Sequence, residues 1–151
     1  MRGNTDLVKL YSGKILALAA DVPHLARLTT PDATVKRRSP VCGSMVTVDV
    51  VLEGGRVVQF GQDVKACALG QAAAAVTGEA ILGRTPAELA LARDELRQML
   101  KDAGPTPSDP FAGFEVLAPA RDFKNRHASI LLSIEAAAEA AEMAQDKSNC
   151  A

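Results

Sequence analysis

Three side chains in this sequence could combine to bind a soft metal or to carry sulfur: Cys42, Cys67 and His127. Thiolates are nucleophiles and soft ligands, and a neutral imidazole is a borderline donor. Cys42 lies in Ser39-Pro40-Val41-Cys42-Gly43-Ser44, just before a strand-like run. Cys67 lies just after a second such run, where an Ala-rich helical segment begins, and His127 opens the last helical segment. Unsatisfied N–H groups and partial positive charge at a helix N-terminus favour a thiolate at Cys67, and Lys65 is close enough in sequence to help. Two thiolates, an imidazole and an open position would make a reasonable tetrahedral zinc site, although the spacing is not that of a zinc finger. The plain alternative is that Cys42 and Cys67 are small apolar core residues and His127 is structural. His24 reads as an exposed loop residue. Cys150, in the tail, reads as incidental. An odd cysteine count at wide spacing is not a disulfide framework.

The elements that must position these residues are legible in outline. Met45–Leu52 and Arg56–Val64 alternate as two strand arms around Gly54-Gly55, a pair that tolerates positive φ and fits a hairpin turn. Cys42 and Cys67 each stand about twelve residues from that turn, which predicts both sulfurs at the open end of the hairpin. Val46, Val48, Val50 and Leu52 share one face of the first arm, with Thr47 and Asp49 on a wetter face. Val58, Phe60 and Val64 share one parity in the second. Residues 33–39 read as a short edge strand whose Lys36, Arg37 and Arg38 discourage pairing with other chains. A helix is expected from about Thr5 to Ala19, capped by Thr5, with Leu7, Leu10, Tyr11, Ile15 and Leu18 on one stripe. Another is expected over Ala68–Leu82, stopped by Gly83. Thr85-Pro86-Ala87-Glu88 is a capping-box helix start, followed by the stripe Leu89, Ala92, Leu96, Met99 and Leu100. Residues 104–113 read as a mobile loop. Phe114, Val116 and Leu117 return the chain to the core, a last helix covers Ala128–Ala144, and 145–151 reads as a frayed tail. Segregated strands and helices predict an α+β domain: a three-stranded antiparallel sheet covered on one face by helices.

Bulk properties narrow the function. At 151 residues a single domain, 1–151, is expected. A chain of that size buries roughly 68–70% of its unfolded surface and folds without staples. A net charge of −1, no Trp and one Tyr argue against a nucleic-acid binder. No apolar stretch approaches the length of a membrane span, and the run Ile15–Ala20 is too short for a secretory signal. Free thiols then point to the cytoplasm or a similar reducing compartment.

Three runs carry a resemblance to a known family. Cys42-Gly43-Ser44-Met45, then Lys65-Ala66-Cys67-Ala68-Leu69-Gly70-Gln71-Ala72, then Arg126-His127-Ala128-Ser129-Ile130-Leu131 resemble the U-type iron–sulfur cluster assembly scaffolds, the NifU N-terminal-like or IscU-like family. The resemblance spans roughly residues 10–141. It implies the helix-covered three-stranded sheet described above, with an active end that gathers three cysteines, an aspartate and often a histidine. Cys42 and Cys67 match the first two cysteines. Ser44 stands where the family has its aspartate. His127 matches the family histidine and Ala128 the third cysteine, while a one-residue shift would put His127 in the third-cysteine place. The 104–113 insertion resembles the longer, zinc-associated branch, and the Leu-Pro-Pro-Val-Lys segment of the shorter branch is absent.

The resemblance implies a binding protein rather than an enzyme. Such a protein receives sulfur as persulfide on Cys42 or Cys67 from a cysteine desulfurase. It holds iron or a [2Fe–2S] cluster at Cys42, Cys67 and His127, then serves recipient iron–sulfur apoproteins. It would act as a monomer or weak homo-oligomer, with no nucleic acid or membrane partner. A [2Fe–2S] cluster takes four protein ligands. The fourth would come from water, a partner, another subunit or an acid such as Asp63, because the neutral Ser44 hydroxyl is a weak ligand. Zinc with a sulfur-accepting thiolate is the second reading, and an adaptor without metal is the third.

Overall fold

The computed structural model describes residues 11–40 and 42–150. The expected Thr5 cap, Leu7 and Leu10 lie outside the described residues. A helix, α1, covers Gly13–Ala20 and is capped by Ser12, whose hydroxyl accepts from the Ile15 N–H. The strands follow as β1 (Ala33–Arg38), β2 (Met45–Glu53) and β3 (Arg56–Lys65), then α2 (Ala68–Ala80) and α3 (Pro86–Lys101). Two 3-10 segments, Ala112–Asp122 and Lys124–Arg126, lead into α4 (His127–Cys150).

The sheet is antiparallel in the order β1-β2-β3, so β2 is central and β1 is an edge. Valine and threonine suit this pleated surface. Val46, Val48 and Val50 are buried beneath α4, which packs on β1 and β2. Gly54 and Gly55 both have positive φ (59° and 77°), as a two-residue hairpin turn requires. Near that turn the alternation expected for β3 fails. Val50 pairs Phe60 and Val51 pairs Gln59, but Leu52 pairs Val57, so Val58 is the extra residue of a bulge. Val57 is therefore buried and Val58 is 40% exposed, the reverse of the expected parity.

The far face of the sheet is also less wet than its alternation suggested. Asp49 is fully buried there by the loop before β1. Its carboxylate accepts from Arg27 Nε (2.6 Å) and Nη2 (3.1 Å), from the Leu28 N–H (3.0 Å) and from the Thr34 hydroxyl (2.5 Å). Burial would push its pKa up, but these donors, led by Arg27, hold it below the ordinary carboxylate value.

Among the helices, α2 packs against both α1 and α4, and α3 packs on α4. The α3 stripe of Leu89, Ala92, Leu96, Met99 and Leu100 is buried as expected. Its capping box is reciprocal: Glu88 N–H donates to the Thr85 hydroxyl and Thr85 N–H to the Glu88 carboxylate, each at 3.1 Å. Phe114 and Leu117 are buried, anchoring the 3-10 segment. The final helix continues through Cys150, past the expected frayed boundary. On the β1 edge, Arg37 pairs with Glu139 of α4 at 3.3 Å.

Candidate functional site

Cys42 sits in the connection between β1 and β2. The Ser39 N–H donates to the Ser44 carbonyl (2.8 Å) and the Gly43 N–H to the Ser39 carbonyl (3.1 Å), so the connection closes on itself. Gly43 takes φ +72°, in the left-handed region where a side chain would be strained. The Met45–Lys65 pair ends the β2–β3 ladder beside this loop. Two residues beyond Lys65, Cys67 is the N-cap of α2, its carbonyl accepting from the Gln71 N–H at 2.9 Å. The hairpin thus delivers both cysteines to its open end.

The residue that joins them is Ser129, in the first turn of α4. Cys42 Sγ is 3.1 Å from Ser44 Oγ, Ser44 Oγ is 3.0 Å from Ser129 Oγ, and Ser129 Oγ is 3.7 Å from Cys67 Sγ. Ser39 Oγ lies 3.4 Å from the Cys42 sulfur on its other side. Cys42 is exposed and Cys67 half-buried, whereas Ser39, Ser44 and Ser129 are buried. This close meeting depends on Gly70 of α2: a Cβ there would lie 2.7 Å from both Ser129 Oγ and Ala66 Cβ.

The serines change the Cys42 thiol. Burial alone would push its pKa up. Hydrogen bonding with Ser39, with the hydroxyl and backbone of Ser44, and with Ser129 outweighs that and holds it down at about 7. Hydroxyls that donate to sulfur stabilise the thiolate, the form that attacks sulfur and binds metal.

The remaining expected site residues lie elsewhere. His127 is buried, and its Nε2 is 3.0 Å from both the Ala120 and the Arg121 carbonyl oxygens. The 3-10 segment before α4 supplies these carbonyls, so His127 braces that segment against the helix. It also borders an open cavity of about 760 Å³ on the side of Lys101, Arg121 and Lys124, whose lining includes neither Cys42 nor Cys67. Asp63 is exposed and pairs Thr47, and its charge acts on Arg27. Lys65 is exposed at the end of β3. Among the described residues, no group of three or more His, Cys, Asp or Glu side chains is placed to hold a metal ion. Cys150 is exposed on the last turn of α4, about 30 Å along the helix from Ser129.

Ser129 and Ser39 are the two site residues that the reading of residue types missed. A signal for Ser129 was present. Ser129 and Ser133 fall at i, i+4 on the buried face of an otherwise apolar run, and buried hydroxyls require partners. Ser133 finds Gln62 on the sheet at 3.5 Å, and Ser129 finds Ser44 and Cys67.

Solved structures share this arrangement of elements. The crystal structure of a nitrogen-fixing NifU-like protein (N-terminal) from Brucella abortus matches with a TM-score of 0.90 and 39% identity, covering 93% of this chain and 98% of that one. A protein described as a candidate iron–sulfur cluster assembly scaffold for the SUF system, from thermophilic Fervidobacterium islandicum AW-1, matches with a TM-score of 0.78 and 18% identity, covering 89% of this chain and 98% of that one. A hypothetical protein of known structure matches with a TM-score of 0.77 and 21% identity over the same shares. The last two matches speak to the fold alone. No protein-family model matches the chain, and no curated protein matches it significantly. With 39% of residues identical over nearly the full length of both chains, this protein belongs to the family of NifU-like N-terminal proteins.

Proposed function

We propose that the protein is an iron–sulfur cluster assembly scaffold or carrier, with Cys42 and Cys67 as the residues that take up sulfur and hold the nascent cluster. The sulfur arrives as a persulfide from a cysteine desulfurase, and the finished cluster passes to recipient apoproteins. The observation that carries this reading is the meeting of both cysteines around Ser129 at the open end of the hairpin. Membership of the NifU-like family supports it. The cluster is cargo, and the protein acts by binding rather than by catalysis.

The donor set limits how the cargo is held. A [2Fe–2S] cluster takes four protein ligands, and Cys42 and Cys67 supply two. The others come from outside this pair, from a second copy of the chain or from the recipient. His127 commits its Nε2 to the Ala120 and Arg121 carbonyls, so Nδ1 is the nitrogen it would have to offer a metal. A resident zinc fits this arrangement poorly, because structural and catalytic zinc sites take three or four protein ligands and two thiols converge here.

Anaerobic incubation with ferrous iron and sulfide tests the reading. Visible charge-transfer absorption with bound iron is expected, and it should be lost in Cys42→Ala and in Cys67→Ala. One equivalent of zinc with no cluster would favour the sulfur-accepting zinc protein instead. A folded sample that takes up neither metal would overturn both.

A further inference from the structure

We propose that Cys42 and Cys67 act in sequence: sulfane sulfur loaded on Cys42 is taken by direct attack of Cys67, while the hydroxyls of Ser44 and Ser129 relay the proton from Cys67 to Cys42. This step rests on the scaffold reading above and adds an order and two positioning residues to it. The geometry points to it in three ways. The contacts Cys42–Ser44 (3.1 Å), Ser44–Ser129 (3.0 Å) and Ser129–Cys67 (3.7 Å) form an unbroken run from one sulfur to the other. Ser44 and Ser129 are only 4% and 1% exposed, so these hydroxyls are satisfied inside the protein, by each other and by the two sulfurs. The sulfurs also differ in access: Cys42 is exposed in its loop, where an external donor can reach it, while Cys67 is half-buried at the cap of α2.

The step balances without an added oxidant or reductant. The sulfur of Cys67 attacks the outer sulfur of the Cys42 persulfide. A new S–S bond forms at Cys67, the old S–S bond breaks, and the Cys42 sulfur leaves with the electron pair. The Cys67 thiol proton passes to Ser129 as Ser129 gives its proton to Ser44 and Ser44 gives its own to the departing Cys42 sulfur. Cys42 ends as a thiol and Cys67 as a persulfide. The emptied Cys42 can then accept a second sulfur atom, so one chain can collect the two sulfurs that a [2Fe–2S] cluster contains.

The test uses the full chain in a Cys150→Ala background, so that sulfur is followed only at the site. Sub-stoichiometric inorganic polysulfide is added without oxygen, samples are blocked with iodoacetamide over time, and the Cys42 and Cys67 peptides are weighed. The expected result is a Cys42 persulfide that appears first and decays as the Cys67 persulfide rises. In Ser129→Ala, and separately in Ser44→Ala, persulfide should accumulate at Cys42 and reach Cys67 about a hundredfold more slowly, the low end for a positioned proton transfer. A purely structural effect of either substitution would lower the signal at both sites rather than trap it at one. Loading of Cys67 in Cys42→Ala as fast as in the parent would overturn the order. Decay of the Cys42 persulfide at an unchanged rate in Ser129→Ala would overturn the relay. Persulfide at neither cysteine of the folded parent would overturn the scaffold reading as well, which separates the two failures.

Discussion

Hydroxyl groups surround the Cys42 sulfur, and that choice sets its chemistry. A carboxylate beside a thiol can only accept, and its negative charge disfavours the thiolate. The Ser44 hydroxyl can instead donate to the sulfur, and hydrogen bonding with Ser39, Ser44 and Ser129 holds the thiol at about 7. Alkylation of Cys42 by iodoacetamide, followed by peptide mass, should therefore reach half its maximal rate near pH 7. In Ser44→Ala the midpoint should rise toward the ordinary thiol value, and in Ser44→Asp it should rise further. An unmoved midpoint in both variants would contradict the role given to Ser44. Asp49 supplies a second pH-dependent quantity. Its carboxyl is held below its unfolded value, so the stability it contributes is fully present above the ordinary carboxylate pKa and is lost as pH falls through the lowered one. Asp49→Asn should lower the thermal midpoint at neutral pH, and the gap from the parent should close under strong acid. The Cys42–Cys67 meeting was legible in the sequence because hairpin pairing fixes which positions are neighbours. The buried Asp49 was not, because its cover comes from a loop with no periodicity to read.

At the scale of elements, the site is a junction of one hairpin and two helix starts. Helix α2 supplies Cys67 and Gly70, α4 supplies Ser129, and the β1–β2 connection supplies Cys42 with Ser39 and Ser44. Gly70→Ala would force its Cβ against Ser129 and Ala66. It should cost about 1–3 kcal/mol in urea unfolding, the usual range for overpacking, and it should raise the Cys42 alkylation midpoint by displacing Ser129. Thr85→Ala removes the α3 cap far along the chain from the cysteines. It should cost about 1 kcal/mol and leave that midpoint in place. The capping box was readable because Thr85 and Glu88 act through local spacing alone. The bulge at Val58 was not, since strict alternation assumes equal residue counts on both arms and the bulge breaks that count. The place of His127 was hidden for a similar reason: the partners of its ring are two backbone carbonyls, which no residue type advertises.

For the whole molecule, the helices cover one sheet face with a common core, and the proposed site lies at one end of the β2–β3 hairpin. Among the described residues, no helix is long and apolar enough to cross a membrane. The NifU-like family match over nearly the whole of both chains puts this arrangement in a known structural lineage. Here the cysteine pair is braced by serines, and among the described residues no third Cys, His, Asp or Glu joins the two thiols in a metal-holding group. In the proposed scaffold role the cluster would be cargo that stays briefly and leaves, since two thiols from one chain fill only half the positions of a [2Fe–2S] cluster. The most direct measurement of that claim is cluster hand-over. The protein is charged anaerobically with ferrous iron, L-cysteine and a cysteine desulfurase, then mixed with an apo [2Fe–2S] acceptor in the presence of an iron chelator. The expected result is acceptor absorption that grows as the protein's own visible bands decay, lost with Cys42→Ala or Cys67→Ala. Transfer at the same rate and yield with both cysteines replaced, or with the protein omitted, would contradict it.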